Sequence, residues 1–341
     1  MLLPRTETIL RSIVEQYISR AIPVPSQSII GDCDLGVSAA TIRNEMALLE
    51  REGYITRLHP SAGGIPSDKG YRYYVECLTD LKLPLAEQRL IGHLFHQVER
   101  NLAEWLRLAA TVISQLAQNL AVVTTPKPAG CKFKHLELVA LRDLLALVIV
   151  VLHGARVKQQ LITFGQPTFQ PGLTAIANKL NAAYTGLSSQ QILAKDMELP
   201  HTEQQVTDCL LKIMETEDEQ EYEEPYLDGL HFMLSQPEFT NSQRMLALME
   251  LAEHRELMRI IIPQQLDSHW AQVVIGKENK AEIIHNYSVV VSRYGLPEEA
   301  VGTIGIIGPT RMPYARTISI VSYISTVLGR LVADLYGREP D

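Results

Sequence analysis

One predicted helix carries polar side chains whose types and spacing could contact the edges of DNA base pairs. Ser38 can cap its first turn, and Ile42, Met46 and Leu49 recur at i, i+4 and i+7, which predicts a buried stripe. Asn can pair with adenine and Arg with guanine, while Thr or Ala can touch a thymine methyl group. The residues turned outward, or flanking the outward face, are Ala40, Thr41, Arg43, Asn44, Ala47 and Arg51.

The elements around this helix follow the order of a winged helix-turn-helix. Apolar residues at helical spacing predict a first helix that ends before Pro23, and Ser26 can cap a short second helix. Gly53 stands where a glycine commonly ends a helix. A strand, a turn and a returning strand follow over residues 54–65. We therefore expect a compact helical unit over residues 1–80 that ends in a small hairpin.

The charge of this first segment is balanced. Residues 1–75 hold eight basic and eight acidic residues, so the net charge of −8 belongs to the rest of the chain. DNA-binding domains are usually basic, and an ordinary surface helix therefore stays open as an interpretation. The hairpin, which is rich in Gly and Ser and flanked by cations, favours DNA. The predicted DNA-binding residues are Ser26, Gln27, Ser38, Ala40, Thr41, Arg43, Asn44, Arg51, Arg57, His59, Ser61, Gly63, Gly64, Lys69 and Arg72.

Beyond residue 80 the patterns predict a larger mixed region. Residues 87–120 form one amphipathic pattern with Trp105 in its apolar stripe, which predicts a single helix of about 50 Å. The segment 168–265 is mainly helical and polar, and includes a predicted helix over 242–260. Strand-like runs on either side of it occupy residues 136–141, 144–152, 156–164, 271–275, 287–294 and 300–307, and a helix follows over 313–336.

The simplest interpretation is that the strands before and after segment 168–265 form one sheet, and that this segment is an insertion. We predict an α+β, multidomain chain with the helix-turn-helix unit over 1–80, a second domain over 81–167 and 266–341, and a mostly helical insertion over 168–265. The insertion must bury apolar faces of its own, so we expect it to make the dimer contact. The side chains that carry this expectation are Leu246, Leu248, Met249, Leu251, Leu257 and Met258.

Composition excludes several classes of protein. The longest apolar run, residues 144–152, is about half of what a membrane-spanning helix needs, and the N-terminus lacks a signal-peptide pattern. Four cysteines in 341 residues lack metal-ligand spacing and form no disulfide framework. The expectation is a soluble, cytoplasmic protein with reduced thiols. We find no catalytic motif and predict no enzyme, no metal and no cofactor.

A glycine-rich stretch near the C-terminus has two interpretations. Residues 302–316 run from a strand through Gly305 and Gly308 to a helix that starts near Pro313. A helix N-terminus with an arginine can bind an anion, but the Walker pattern is missing. The alternative is a loop that makes packing or domain contacts. The residues concerned are Gly305, Gly308, Thr310, Arg311, Tyr314 and Arg316.

Several motifs, spread over both ends of the chain, match the pattern of one known family. In the first 80 residues they are the runs 38–46, 53–55, 61–63 and 68–75, with Leu49, Glu50 and His59. The resemblance resumes at 227–229, 236–239 and 275–279. It is most specific at 302–316, which reads GTIGIIGPTRMPYAR. Together these motifs resemble the HrcA family of bacterial heat-inducible repressors, and the likeness covers nearly the whole chain.

The resemblance implies a winged-helix domain, a GAF-like domain and an inserted dimerising domain. It also implies a homodimer that binds the inverted-repeat operator CIRCE before chaperone operons, with the GroEL chaperonin promoting the active form. Two positions depart from the family pattern, because Pro25 stands where Gly is usual and Gly64 where Arg is usual. A hairpin without that cation should make fewer phosphate contacts.

Three other functions stay open on the sequence. One is a ligand-gated repressor with a small molecule bound in the GAF-like domain. The second is an interaction module that regulates a chaperone without binding DNA, and the third is an enzyme. Salt-dependent binding to a palindromic operator separates the first of these from the other two.

Overall fold

The computed structural model describes residues 2–32, 37–57, 59, 62–79, 81–98, 101–127, 131–153, 156–195, 199–219, 225–239, 271–296 and 300–337. Within these ranges the chain is a mixed α+β protein with helices, one small hairpin and two larger sheets. Several predicted features lie outside these ranges. They are Ser61, the predicted turn at 34–36, and the helix predicted over 242–260 with its six apolar side chains.

The first part of the chain forms three helices, a hairpin and a fourth helix. The first helix ends before Pro23 as predicted, and Gly53 has a positive φ of 79° just after the third. Ile9, Ile13, Ile29 and the apolar face of the third helix form their shared core. The elements are α1 (Pro4–Arg20), α2 (Ser26–Asp32), α3 (Ala39–Arg51), β1 (Ile55–Thr56), β2 (Ile65–Pro66) and α4 (Asp68–Glu76).

The single long helix predicted over 87–120 is wrong. Val98 has extended backbone angles, and the Asn101 side chain caps a new helix by accepting from the Ala103 N–H at 3.0 Å. Trp105 is buried in that helix as predicted. Leu120 belongs to a strand that was not predicted, because this residue also continues the apolar spacing of the preceding helix. The elements here are α5 (Leu85–Gln97), α6 (Leu102–Ala117) and β3 (Leu120–Val123).

The predicted single sheet is also wrong, because the two sets of strands form separate sheets. Three strands pair only with each other and pack on the helices that follow them, so neighbouring segments complete a local core. An apolar strand-like run predicts a strand but does not say which strand it pairs with. These elements are β4 (Phe133–Arg142), β5 (Leu145–Leu152), β6 (Arg156–Thr163), α7 (Gln170–Tyr184), α8 (Ser189–Leu193) and α9 (His201–Glu219).

The remaining elements build a five-stranded sheet with the order β7-β3-β10-β9-β8. In it, β3 pairs antiparallel with both β7 and β10, and β8 pairs antiparallel with β9. The short strand β7 was not predicted. The elements are β7 (Tyr226–Asp228), α10 (Leu230–Leu234), β8 (Gln272–Ile275), β9 (Tyr287–Leu296), β10 (Ala300–Pro309) and α11 (Tyr314–Leu335).

The chain divides into two compact units with boundaries that differ from the predicted ones. The first unit contains residues 1–125, 224–295 and 302–341, and the second contains 126–223 and 296–301. The insertion therefore begins near residue 126, not at 168, and residues 225–239 return to the first unit. The predicted domain over 1–80 shares one apolar core with the five-stranded sheet.

Helix α11 has the length and apolar composition of a membrane span, but half of its apolar window is buried inside the fold. Ile320, Val321, Ile324 and Leu328 are fully buried in the core of the first unit. A core helix of a water-soluble fold passes the same test, so this helix is weak evidence for a membrane.

Candidate nucleic-acid interface

Helix α3 has the buried and outward faces that its sequence predicts. The Ser38 hydroxyl accepts from the Thr41 N–H at 3.3 Å and caps the first turn. Ile42, Met46 and Leu49 are fully buried in the core. On the opposite side Thr41 is half-buried, and the exposed residues are Ala40, Arg43, Asn44, Ala47 and Arg51. The outward set is therefore brought together on one accessible helix face.

The cations on this face are free to meet a charged partner. Neither Arg43 nor Arg51 forms an ion pair with any residue that the structure describes. Ser26 and Gln27 lie in the first turn of α2, where Ser26 is half-buried and Gln27 exposed. The exposed surface thus includes part of the helix that precedes α3.

Glu45 holds α3 against α1, and sequence reasoning missed it. Its buried carboxylate accepts from the Thr6 hydroxyl at 2.7 Å and from the Arg5 Nε at 2.9 Å. The Thr6 hydrogen bond lowers the pKa of Glu45; burial opposes this effect and the Arg5 guanidinium adds to it. The available signal was a carboxylate three residues after Ile42, inside the apolar stripe.

The hairpin loop is attached to the chain before α2. Gly64 and Val24 exchange two backbone hydrogen bonds, at 2.8 and 2.9 Å. Gly63 approaches the Pro23 backbone so closely that a Cβ would lie 2.5 Å from the Pro23 carbonyl carbon. A Cβ on Gly64 would lie 3.1 Å from both Ile55 and Met46, which are core side chains. The prediction that Gly64 faces phosphate is therefore not what the structure shows.

Two cations near the hairpin are held by the protein itself. Arg57 pairs with Glu50 of α3, its Nε donating at 2.9 Å, and its side chain is only 8% exposed. It therefore braces the hairpin and does not project toward solvent as predicted. Lys69 is exposed, with its Nζ 2.8 Å from the Glu52 carbonyl oxygen and 4.2 Å from the centre of the Tyr54 ring. His59 is exposed beside them.

Arg72 also turns away from the outward face of α3. Its Nε donates to Glu278 at 2.8 Å, and its Nη2 donates to the Val273 carbonyl at 2.7 Å. The Glu278 carboxylate raises the pKa of the Arg72 guanidinium. The predicted role of Arg72 as a DNA ligand is not supported by this position, because its donors are directed at the turn after β8.

The stretch 302–316 makes contacts within the first unit. Arg311 pairs with Glu238 and donates to the Ile18 carbonyl at 3.1 Å, and Arg316 donates to Glu87 at 3.2 Å. Tyr314 is buried, and its hydroxyl lies 2.7 Å from the Ser288 hydroxyl. These contacts match the packing interpretation of the loop.

The remaining residues of this stretch are also engaged by the protein. A Cβ on Gly308 would lie 2.5 Å from the Asn119 side chain, and one on Gly305 would lie 3.3 Å from the Val290 carbonyl oxygen. The Thr310 carbonyl accepts from the Tyr314 hydroxyl at 2.5 Å. Glycine is required at 308 because a buried amide side chain occupies the space.

Relatives over the whole length of the chain are bacterial transcription repressors. The chain is 55% identical over 340 residues to the heat-inducible transcription repressor HrcA of Dehalococcoides mccartyi, covering 100% of this chain and 99% of that protein. It is 40% identical over 347 residues to HrcA of Roseiflexus castenholzii, covering 99% and 96%. The family model described as the HrcA protein C terminal domain matches residues 103–318. The chain belongs to the HrcA family of heat-inducible transcription repressors.

One solved structure shares the fold over nearly the full length. A crystal structure of a hypothetical protein matches with a TM-score of 0.57 and 22% identity, covering 98% of both chains. The likeness supports the α+β architecture of the chain.

Proposed function

We propose that this chain represses chaperone operons by binding, as a homodimer, the inverted-repeat operator CIRCE, with the GroEL chaperonin promoting the active form. The operator and the chaperonin in this proposal are carried over from the HrcA family. The observation that carries the DNA-binding part is the exposed outward face of α3, on which Arg43 and Arg51 have no ion-pair partner among the described residues.

In this proposal residues 1–80 act as a winged helix-turn-helix, with α3 in the major groove and the β1–β2 hairpin as the wing. Asn44 and Arg43 near the start of α3 would read base edges, and Ala40 or Thr41 would touch a thymine methyl group. Ser38 and the first-turn N–H groups of α3 would meet a phosphate. Repression follows because the bound dimer occludes the promoter.

Fluorescence anisotropy with a CIRCE duplex and a scrambled duplex tests this function. We expect Arg43→Ala and Asn44→Ala each to weaken operator binding by about 1–3 kcal/mol and to change scrambled-duplex binding little. Arg11→Ala is the matched control, because Arg11 is an exposed arginine of α1 that pairs with Glu15. Wild-type affinity in both α3 variants would overturn the groove assignment.

The second unit supports the dimer part of the proposal with an apolar sheet face. On β5, Leu145, Leu147, Ile149 and Val151 alternate with residues buried under the helices, and all four stay partly exposed. Leu147 pairs with Val139 on one side and with Leu161 on the other. Aliphatic side chains across three strands form a patch typical of an interaction surface. We infer that a second copy of the chain covers it.

The five-stranded unit corresponds to the GAF-like domain in this proposal. The ligand-gated alternative would require a small molecule in that domain. One cavity of about 420 Å³ in the first unit lies among α1, α4, the segment 77–84 and α11. Operator titrations with a metabolite panel, and separately with purified chaperonin, distinguish the two modes. Binding that responds to a metabolite and not to chaperonin or temperature would favour the alternative.

A further inference from the structure

We infer that Asp68 and Arg72 act in operator binding as positioning residues, which hold α4 and α3 against the turn Gly276–Glu278 and do not contact DNA. This inference rests on the proposed function, because its effect is read through operator binding. It assigns a shared role to two segments, 68–75 and 275–279, whose contacting residues are more than 200 positions apart in the chain.

The Arg72 guanidinium donates hydrogen bonds to two different residues. It forms a two-point pair with the Glu278 carboxylate and also donates to the Val273 carbonyl, which is a main-chain group of β8. Glu278 is itself fixed, because it accepts from the Ile275 N–H at 2.9 Å. Only Arg can make this forked contact, since Lys has a single nitrogen on a flexible stem.

Asp68 reaches the same turn from the start of α4. Its Oδ2 accepts from the Lys277 N–H at 3.0 Å. Gly276 has a φ of +51°, and a Cβ there would lie 2.4 Å from both Asp68 carboxylate oxygens. The carboxylate therefore occupies the space that a side chain at 276 would fill. The backbone of this turn is shaped to receive α4.

An apolar contact accompanies these polar ones. The rings of Tyr71 and Tyr314 lie 5.7 Å apart, and both are buried. The Tyr71 hydroxyl has no hydrogen-bond partner among the described residues. This joint between α4 and the turn Gly276–Glu278 is thus a mixed interface. One face of α4 makes apolar contacts, and Asp68 and Arg72 fix the position of α4 relative to the turn.

Contacts between α4 and α3 link the position of α4 to the position of the outward face of α3. The Lys69 Nζ holds the Glu52 carbonyl at the end of α3, and the Ser67 hydroxyl donates to the Gly53 carbonyl at 2.6 Å. Gly70 lies so close to the Tyr54 carbonyl oxygen that a Cβ would be 2.2 Å from it. Because α4 is held this tightly, a shift of α4 at the turn moves α3 with it.

The joint matters because a two-fold operator must be met by two helices at once. The two recognition helices need a separation that matches whole turns of DNA, about 34–36 Å or a multiple. A joint that fixes α3 raises the effective concentration of the second helix at its half-site, and a loose joint lowers it.

The test compares four variants of the full-length chain on the CIRCE duplex across a salt series. Arg72→Met, Arg72→Lys and Glu278→Gln break the forked contact, while Lys277→Ala is the control, because it removes a neighbouring charge and keeps the N–H that Asp68 accepts from. We expect the first three to bind about 3- to 30-fold more weakly with the salt slope unchanged, and the control to match wild type.

A phosphate-contact role predicts a different pattern. Arg72→Met would flatten the salt slope by about one unit, Arg72→Lys would bind almost normally, and Glu278→Gln would free the guanidinium and bind more tightly. That pattern, or tighter binding by all three variants, would overturn the inference. Hydrogen exchange at the Lys277 amide gives a readout without DNA, and we expect it to accelerate in Arg72→Met and Glu278→Gln. Unchanged exchange would also contradict the inference.

The two levels of the proposal fail in distinguishable ways. If wild type does not prefer the operator to scrambled DNA, or if Arg43→Ala and Asn44→Ala both bind the operator with wild-type affinity, the proposed function fails. If Asn44→Ala weakens operator binding while Glu278→Gln does not, only the positioning role fails. Thermal unfolding of each variant checks that weaker binding does not come from an unfolded first unit.

Discussion

The guanidinium of Arg311 donates to the main-chain carbonyl of Ile18 at 3.1 Å, which ties the loop after β10 to the last turn of α1. The carbonyls of a last helical turn lack partners within the helix, and a cation there also complements the helix dipole. The same guanidinium pairs with Glu238, so three segments far apart in the chain meet at one side chain.

Loss of Arg311 should destabilise the first unit. Arg311→Met removes one donor from the half-buried Glu238 carboxylate and one from a helix-end carbonyl, and we expect about 1–3 kcal/mol of lost stability, measured by urea denaturation. Arg107→Met is the control, because Arg107 is 64% exposed and pairs with Glu104 of its own helix. Its effect should stay within about 0.5 kcal/mol. Equal effects of the two substitutions would contradict a special role for Arg311.

The Glu45 carboxylate should make the stability of α3 depend on pH. Its pKa in the folded protein is below the ordinary value of 4.5, so it contributes stability above that value and loses it as the pH falls through the folded pKa. We expect Glu45→Gln to unfold at a lower temperature than wild type near pH 7, with the difference shrinking below about pH 4.5. Thr6→Val should reproduce part of this loss. Thermal melts at several pH values measure it, and a pH-independent difference would rule out the carboxylate as its source.

The close approach of the hairpin to Pro23 should make Gly63 intolerant of a side chain. Gly63→Ala would place a Cβ 2.5 Å from backbone atoms, so the hairpin must separate from the chain before α2. We expect about 1–3 kcal/mol of destabilisation and faster hydrogen exchange at the Gly64 amide. Gly92→Ala serves as control, because that helical position has open space around it. It should be neutral or stabilising by about 0.5–1 kcal/mol.

A charge on the apolar face of β4–β6 should prevent dimerisation. Leu147→Lys places an ammonium in the middle of the face that we assign to a second copy, and burying an unpaired charge is costly. We expect a monomer by light scattering with the secondary structure retained in circular dichroism. Leu193→Lys is the matched control, since Leu193 is 61% exposed on α8, outside this sheet. If Leu147→Lys remains a dimer while Leu193→Lys becomes a monomer, the dimer contact lies outside the β4–β6 face.

Local signals in the sequence predicted much of the fold. The apolar stripe of α3, the Ser38 cap and the positive φ of Gly53 follow from near-neighbour chemistry, and the structure confirms each of them. The three strands between 133 and 163 were likewise predicted, from apolar strand-like runs. The break at Val98 was missed because the apolar spacing continues through it, and β3 was read as the end of a helix for the same reason.

The sequence by itself determined which residues of α3 face outward, because helical geometry links spacing to direction within one element. Tertiary structure alone decided that Arg57, Arg72 and Gly64 face the protein, since their partners come from other elements. It also decided which strands share a sheet. Pairing and ion-pair choice depend on long-range packing, and no local pattern records which of many carboxylates or strand edges a residue will meet.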